Sequence, residues 1–161
     1  MDQQQAEQFL YHEVRLLDQR EYLQWRELFG STGVYWVPSN DTEADPQHNC
    51  SIIYATGQQL DDRLTRAGSG HFWADQPPIK SVHTVSNVSI EPISDSQVRL
   101  FANQVIYLFR ENDQRRDVPL EILPATSTYT LSETAGNWQI DLKKLSLLQA
   151  DGYLPLLPAF I

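Results

Sequence analysis

Leu10, Val14 and Leu17 recur at intervals of three and four, the spacing of one buried helix face. With Phe9, Leu16, Leu23, Trp25 and Leu28 they outline two helices, about 3–17 and 20–29, divided at Asp18 and Gln19 and stopped by Gly30. A short strand follows at 34–37, closed by Pro38. The polar run "SNDTEADPQHN" is a long loop for a compact domain. A second short strand at 51–54 leads to a helix over 58–66, where Leu60 and Leu64 share a face and Gly68 and Gly70 mark the end. The pattern then changes to long β segments at 81–90, 97–110, 122–133 and 138–149, separated by Asp95-Ser96, Asn112-Asp113 and Gly136-Asn137.

In the second of these, Val98, Leu100, Ala102, Ile106 and Leu108 alternate onto one face, interrupted by Gln104. Phe101, Val105, Tyr107 and Phe109 occupy the other. Both faces are therefore partly apolar, so one packs on helices and the other lines a cavity or meets another subunit. Helices first and a long sheet afterwards is α+β order rather than alternating βαβ. A long curved sheet wrapped around the N-terminal helices makes a half-open cone. The whole chain, 1–161, reads as one domain. Its end, "YLPLLPAFI", is apolar to the last residue. It should be buried, and a partner chain is a candidate cover.

Charge narrows the partners. Acids outnumber bases 21 to 12, for a net charge of -9, which argues against a nucleic-acid partner or an anionic membrane surface. No segment approaches the ~20 apolar residues of a membrane helix. The start "MDQQQAEQ" has no basic opening and no apolar run. Cys50 is the single cysteine, in keeping with a reducing compartment, so the expected location is the cytoplasm.

Candidate chemistry is sparse. His12, His48, His71 and His83 show no H-x-H or H-E-x-x-H spacing, which leaves a zinc site without support. His71, Asp75 and His83 supply the residue types of a two-histidine, one-carboxylate iron site, but any acidic chain offers such a trio. "HNC" at 48–50 is one close pair lacking further ligands, and "AGSG" lacks phosphate-loop spacing. The best acid–base candidate is His83 on an inward strand position with Asp18 opposite it on a helix. The structural reading of the same residues is a satisfied strand histidine and an aspartate that ends its helix, and it is the favoured one. Trp25, Trp36, Trp73 and Trp138 are core or interface anchors.

Taken in order, several segments resemble one family, the small (β) subunits of aromatic-ring-hydroxylating Rieske non-haem iron dioxygenases. They are "FLYHEVRLLDQREYLQWRELF" at 9–29, "YWVP" at 35–38, and "SIIYATGQQLDDRLTRAGSG" at 51–70 with its Asp62-Arg63 pair. "WADQPP" at 73–78, "HTVSNVSI" at 83–90 and the closing "GNWQIDLKKLSLLQAD" complete the set. The resemblance covers nearly the whole chain. Two departures leave the aromatic substrate open. Val82 stands where the family commonly has a basic residue, with Lys80 nearby, and "EILPATSTYTLSET" lacks the arginine pair of many members.

The resemblance implies a nuclear-transport-factor-2-like cone and a non-catalytic assembly subunit. It implies no cofactor or metal in this chain, with the Rieske iron–sulfur cluster and the mononuclear iron in a large (α) partner subunit. It also implies a hexamer of three large and three small chains with the partner, while the two-sided apolar strand at 97–110 and the apolar tail predict a homotrimer even without it. Trp73, Asp75, Pro77 and Pro78 then become the expected docking surface: the proline pair stiffens the backbone and the tryptophan supplies apolar area. The rivals are a free-standing cone-fold dehydratase, isomerase or cyclase using His83 and Asp18, and a small-ligand-binding module.

Overall fold

The computed structural model describes residues 1–40, 45, 46, 48, 50–68, 77–111 and 120–161. Helices α1 (Gln3–Asp18) and α2 (Tyr22–Glu27) come first, followed by strands β1 (Phe29–Pro38) and β2 (Ser51–Thr56) and helix α3 (Gly57–Gly68). Four long strands complete the chain: β3 (Lys80–Ser94), β4 (Gln97–Phe109), β5 (Glu121–Thr134) and β6 (Asn137–Leu147). They form one six-stranded sheet in the order β2-β1-β6-β5-β4-β3. The β1–β6 pair is parallel and the other neighbours are antiparallel. The architecture is the expected α+β cone, an open curved sheet around N-terminal helices. No helix among the described residues is long and apolar enough to cross a membrane.

Local chemistry explains the boundaries. Asp2 caps α1: its Oδ1 accepts from Gln5 N at 2.8 Å while Gln5 Oε1 accepts from Asp2 N at 2.8 Å, a reciprocal capping box. Glu21 precedes α2 without a side-chain cap, consistent with a helix of one and a half turns. The expected extension of that helix to residue 29 does not form, and Gly30 lies inside β1 instead. The cause is β6. Ile140 N donates to Leu28 O at 2.7 Å, pulling residues 28–33 into the sheet. Gly33 makes this possible, because a Cβ there would stand 2.6 Å from Ile140 O.

The alternation read along β4 holds residue by residue: Val98, Leu100, Ala102, Gln104, Ile106 and Leu108 are buried. The opposite face is half-covered and partly apolar. Val82, Tyr107 and Ile122 stand in one cross-strand row, with Val82 58% and Ile122 47% exposed. The expected burial of the tail is met at its end. Phe160 and Ile161 are buried in the chain's own core, while Tyr153 and Leu156 remain exposed. The curved sheet leaves its mouth open, and these last side chains close it.

Candidate functional site

Asp18 ends α1 and faces the start of β3. Its Oδ1 lies 2.6 Å from His83 Nδ1 and accepts from Ser81 Oγ at 2.9 Å, while Oδ2 accepts from His83 N at 3.0 Å. The two residues named as an acid–base pair are thus in contact. Burial alone would raise the Asp18 carboxyl, but the hydrogen bonds from the His83 side chain and backbone and from Ser81 outweigh it and hold it below its usual value. A carboxylate at Oδ1 fixes the proton on His83 Nδ1. His83 Nε2 is the nitrogen left for substrate, yet it is buried and has no partner, and the side chain is 1% exposed.

A shallow depression of about 270 Å³ lies over the pair, lined by Tyr11, Val14, Arg15, Asp18, His83 and Val85. Catalysis there would need Nε2 within hydrogen-bond reach of a substrate proton, and Nε2 is enclosed. The pair ties the end of α1 to the start of β3. β3 is the last strand of the sheet, and its outward His83 N–H is satisfied by Asp18 instead of another strand. At the other end of α1, Gln3 Nε2 donates to Val88 O at 2.9 Å. Helix α1 therefore covers the sheet edge at two points, one of the ways an edge is shielded from unwanted pairing.

A second polar cluster, which sequence reasoning missed, lies inside the cone. Glu13 and Lys143 are both fully buried, with Lys143 Nζ 2.8 Å from Glu13 Oε1. Trp25 Nε1 donates to Glu13 Oε1 at 2.5 Å and Tyr129 OH to Glu13 Oε2 at 3.2 Å. Gln104 Nε2 reaches Tyr129 OH at 2.9 Å and Ser127 Oγ at 3.2 Å. Lys143 also stands 5.4–5.9 Å from the ring centroids of Trp25, Tyr35 and Tyr129, within cation–π range. Burial, then the Glu13 charge, pushes the Tyr129 hydroxyl well up, and burial does the same to Tyr35. Both remain protonated donors.

The tail completes this cluster. Ile161 O accepts from Tyr35 OH at 2.9 Å and from Lys143 Nζ at 3.1 Å, and Ile161 N donates to Tyr35 OH at 3.1 Å. The sequence signal was present: Glu13 occupies the i+3 place of the Leu10, Val14, Leu17 stripe, and Lys143 is in phase with Leu145 and Leu147. A charge on an apolar stripe implies a buried partner.

Pro77 is half-buried and Pro78 exposed, just before the buried Ile79. Trp73, Asp75 and His71 lie outside the described residues. His48 pairs with Asp45 at 3.1 Å on the surface, and Cys50 is exposed. No cluster of three or more His, Cys, Asp or Glu capable of holding a metal occurs among the described residues.

The chain is 30% identical over 112 residues to the β subunit of benzoate 1,2-dioxygenase from Acinetobacter baylyi, covering 66% of each chain. That match spans just under two thirds of the relative's length. It is 29% identical over 144 residues to the small subunit of 2-halobenzoate 1,2-dioxygenase from Burkholderia cepacia, covering 86% of this chain and 84% of the other. The crystal structure of the benzoate 1,2-dioxygenase β subunit from Burkholderia mallei has the same fold, with a TM-score of 0.74 at 24% identity over 91% of each chain. The family described as ring hydroxylating beta subunit matches residues 12–151, and the chain belongs to that family.

Proposed function

We propose that this chain is the non-catalytic assembly subunit of a multicomponent aromatic-ring-hydroxylating dioxygenase of the cytoplasm. One observation supports this above the others: the cone interior, where a free-standing enzyme would hold substrate, is filled by the Glu13–Lys143 pair together with Trp25 and Tyr129. The enclosed His83–Asp18 contact fits the same reading. The Rieske cluster and the mononuclear iron belong to the large subunit. A Rieske centre takes two cysteines and two histidines, and this chain has one cysteine.

The whole chain acts as one domain with protein partners, and neither nucleic acid nor membrane is among them. It forms a homotrimer alone and a hexamer of three large and three small chains with its partner. The row Val82–Tyr107–Ile122, exposed at Val82 and Ile122 and half-buried at Tyr107, is apolar area that self-association would cover. Trp73, Asp75, Pro77 and Pro78 shape the surface that docks the large subunit. Pro77-Pro78 stiffens the segment beforehand, so less entropy is lost on docking.

Co-expression with a large subunit bearing Rieske-type ligands tests the reading. The two chains should co-elute, with all iron in the large one, and this chain alone should sediment as a trimer. Trp73→Ala should weaken association by about 2 kcal/mol or more with little change in melting temperature. Unchanged association with a lower melting point would place Trp73 in this chain's own core and defeat the docking assignment.

A further inference from the structure

The slot that holds the tail has the chemistry of a ligand site. The Phe160 ring sits among Tyr22, Trp25 and Tyr35, with centroids 5.2, 4.8 and 6.2 Å away. The Arg63 guanidinium carbon is 5.9 Å from the Phe160 centroid. Arg63 Nη2 donates to Ala159 O at 3.0 Å, but its Nε is buried and has no partner. Arg63 makes no ion pair among the described residues. A small depression lined by Arg63, Arg66, Ala67 and Ala159 leads to it.

The Nε and Nη2 groups of arginine form the edge that grips a carboxylate with two parallel hydrogen bonds. Here a single neutral carbonyl meets that edge and satisfies half of it. Leaving a buried guanidinium N–H unpaired is unfavourable, and a second oxygen would pair it. Beside this half-filled edge lies an aromatic ring in an aromatic box. Phe160 and Ala159 O together therefore stand in for a ring and one oxygen of a carboxylate.

We propose that the cone mouth is a binding site for a small aromatic carboxylate, occupied in cis by residues 159–160 of the tail. The ring of the ligand takes the Phe160 slot, and its carboxylate spans Nε and Nη2 of Arg63 in place of Ala159 O. In the intact chain the tail competes at the high effective concentration of a tethered group, so a free acid binds poorly. Whatever draws the tail out exposes the site.

The test uses the full-length chain with Phe160→Ala, and phenylacetate and toluene as probes that share a ring and differ in the carboxylate. Phenylacetate at about a hundredfold excess over its Kd should raise the melting temperature of this variant by roughly 5–10 °C. Toluene should raise it less, and the parent protein should respond less to phenylacetate than the variant does. Adding Arg63→Gln should reduce the phenylacetate response to that of toluene. Equal responses to the two probes in Phe160→Ala would reveal an apolar void without acid recognition and overturn the proposal. So would a phenylacetate response that survives Arg63→Gln, or no response at all. If Phe160→Ala does not fold with or without phenylacetate, Phe160→Leu, which keeps more apolar volume, decides by the same comparison. A Phe160→Leu melting point indifferent to phenylacetate also overturns the proposal.

Discussion

Lys143→Met should lower the free energy of unfolding by about 3–5 kcal/mol and the melting temperature by roughly 10 °C or more. Methionine is unbranched, only one heavy atom shorter than lysine, and packs well against the three surrounding rings, so lost volume contributes little. The cost comes from Glu13, a fully buried carboxylate left with Trp25 and Tyr129 as donors and no counter-charge. Urea denaturation measures the effect. The double variant Glu13→Gln, Lys143→Met should recover a substantial part of the loss, because a neutral amide no longer needs a cation. A single-variant loss below about 1 kcal/mol would mean the pair is screened as if it stood at the surface.

The second large effect is at Asp18. Asp18→Ala removes the acceptor for Ser81 Oγ, His83 N and His83 Nδ1 together and should cost about 2–3 kcal/mol near pH 7. It also bares part of the β3 edge, so the variant should scatter light on storage where the parent does not. Acid supplies a check on the mechanism. The folded Asp18 carboxyl is depressed below the unfolded value of 3.8. Its ionisation therefore contributes stability fully above that value and loses it as pH falls through the lower folded one. The stability gap between the parent protein and Asp18→Asn should be constant at neutral pH and shrink steadily below about pH 4. A gap that ignores pH down to the acid transition would show that charge at Asp18 is immaterial.

Periodicity made most of the fold legible. The helices at the start and the four long strands follow from spacing, because each depends on neighbours within a few residues. The reading that failed, a second helix running to residue 29, depends on a distant partner. β1 starts at Phe29 only because β6 binds it there, and no local pattern marks that. The tail is buried in its own chain because Tyr35 and Lys143 hold Ile161. The His83–Asp18 contact could be named because an inward strand histidine and a helix-ending acid are each visible locally. Its geometry could not, so its enclosure under α1 was out of reach. Glu13 and Lys143, 130 positions apart, each read as an ordinary charge until their phase on an apolar stripe is noticed.

The parallel pairing of β1 with β6 has a consequence for synthesis on the ribosome. β3 to β6 form a local meander that can zip as it emerges, but β1 must wait for the final strand. With β1 beginning at Phe29 and β6 at Asn137, the delay is about 5–20 s at 5–20 residues per second. β2 protects one side of β1 meanwhile, and the uncharged "VYWV" run leaves the other open. The nascent protein is then a half-made sheet with an adhesive border, and contacts of such sequence separation form late. A chaperone or a neighbouring nascent chain has its best opportunity before the eleven residues of β6 appear, and that opportunity closes when they do.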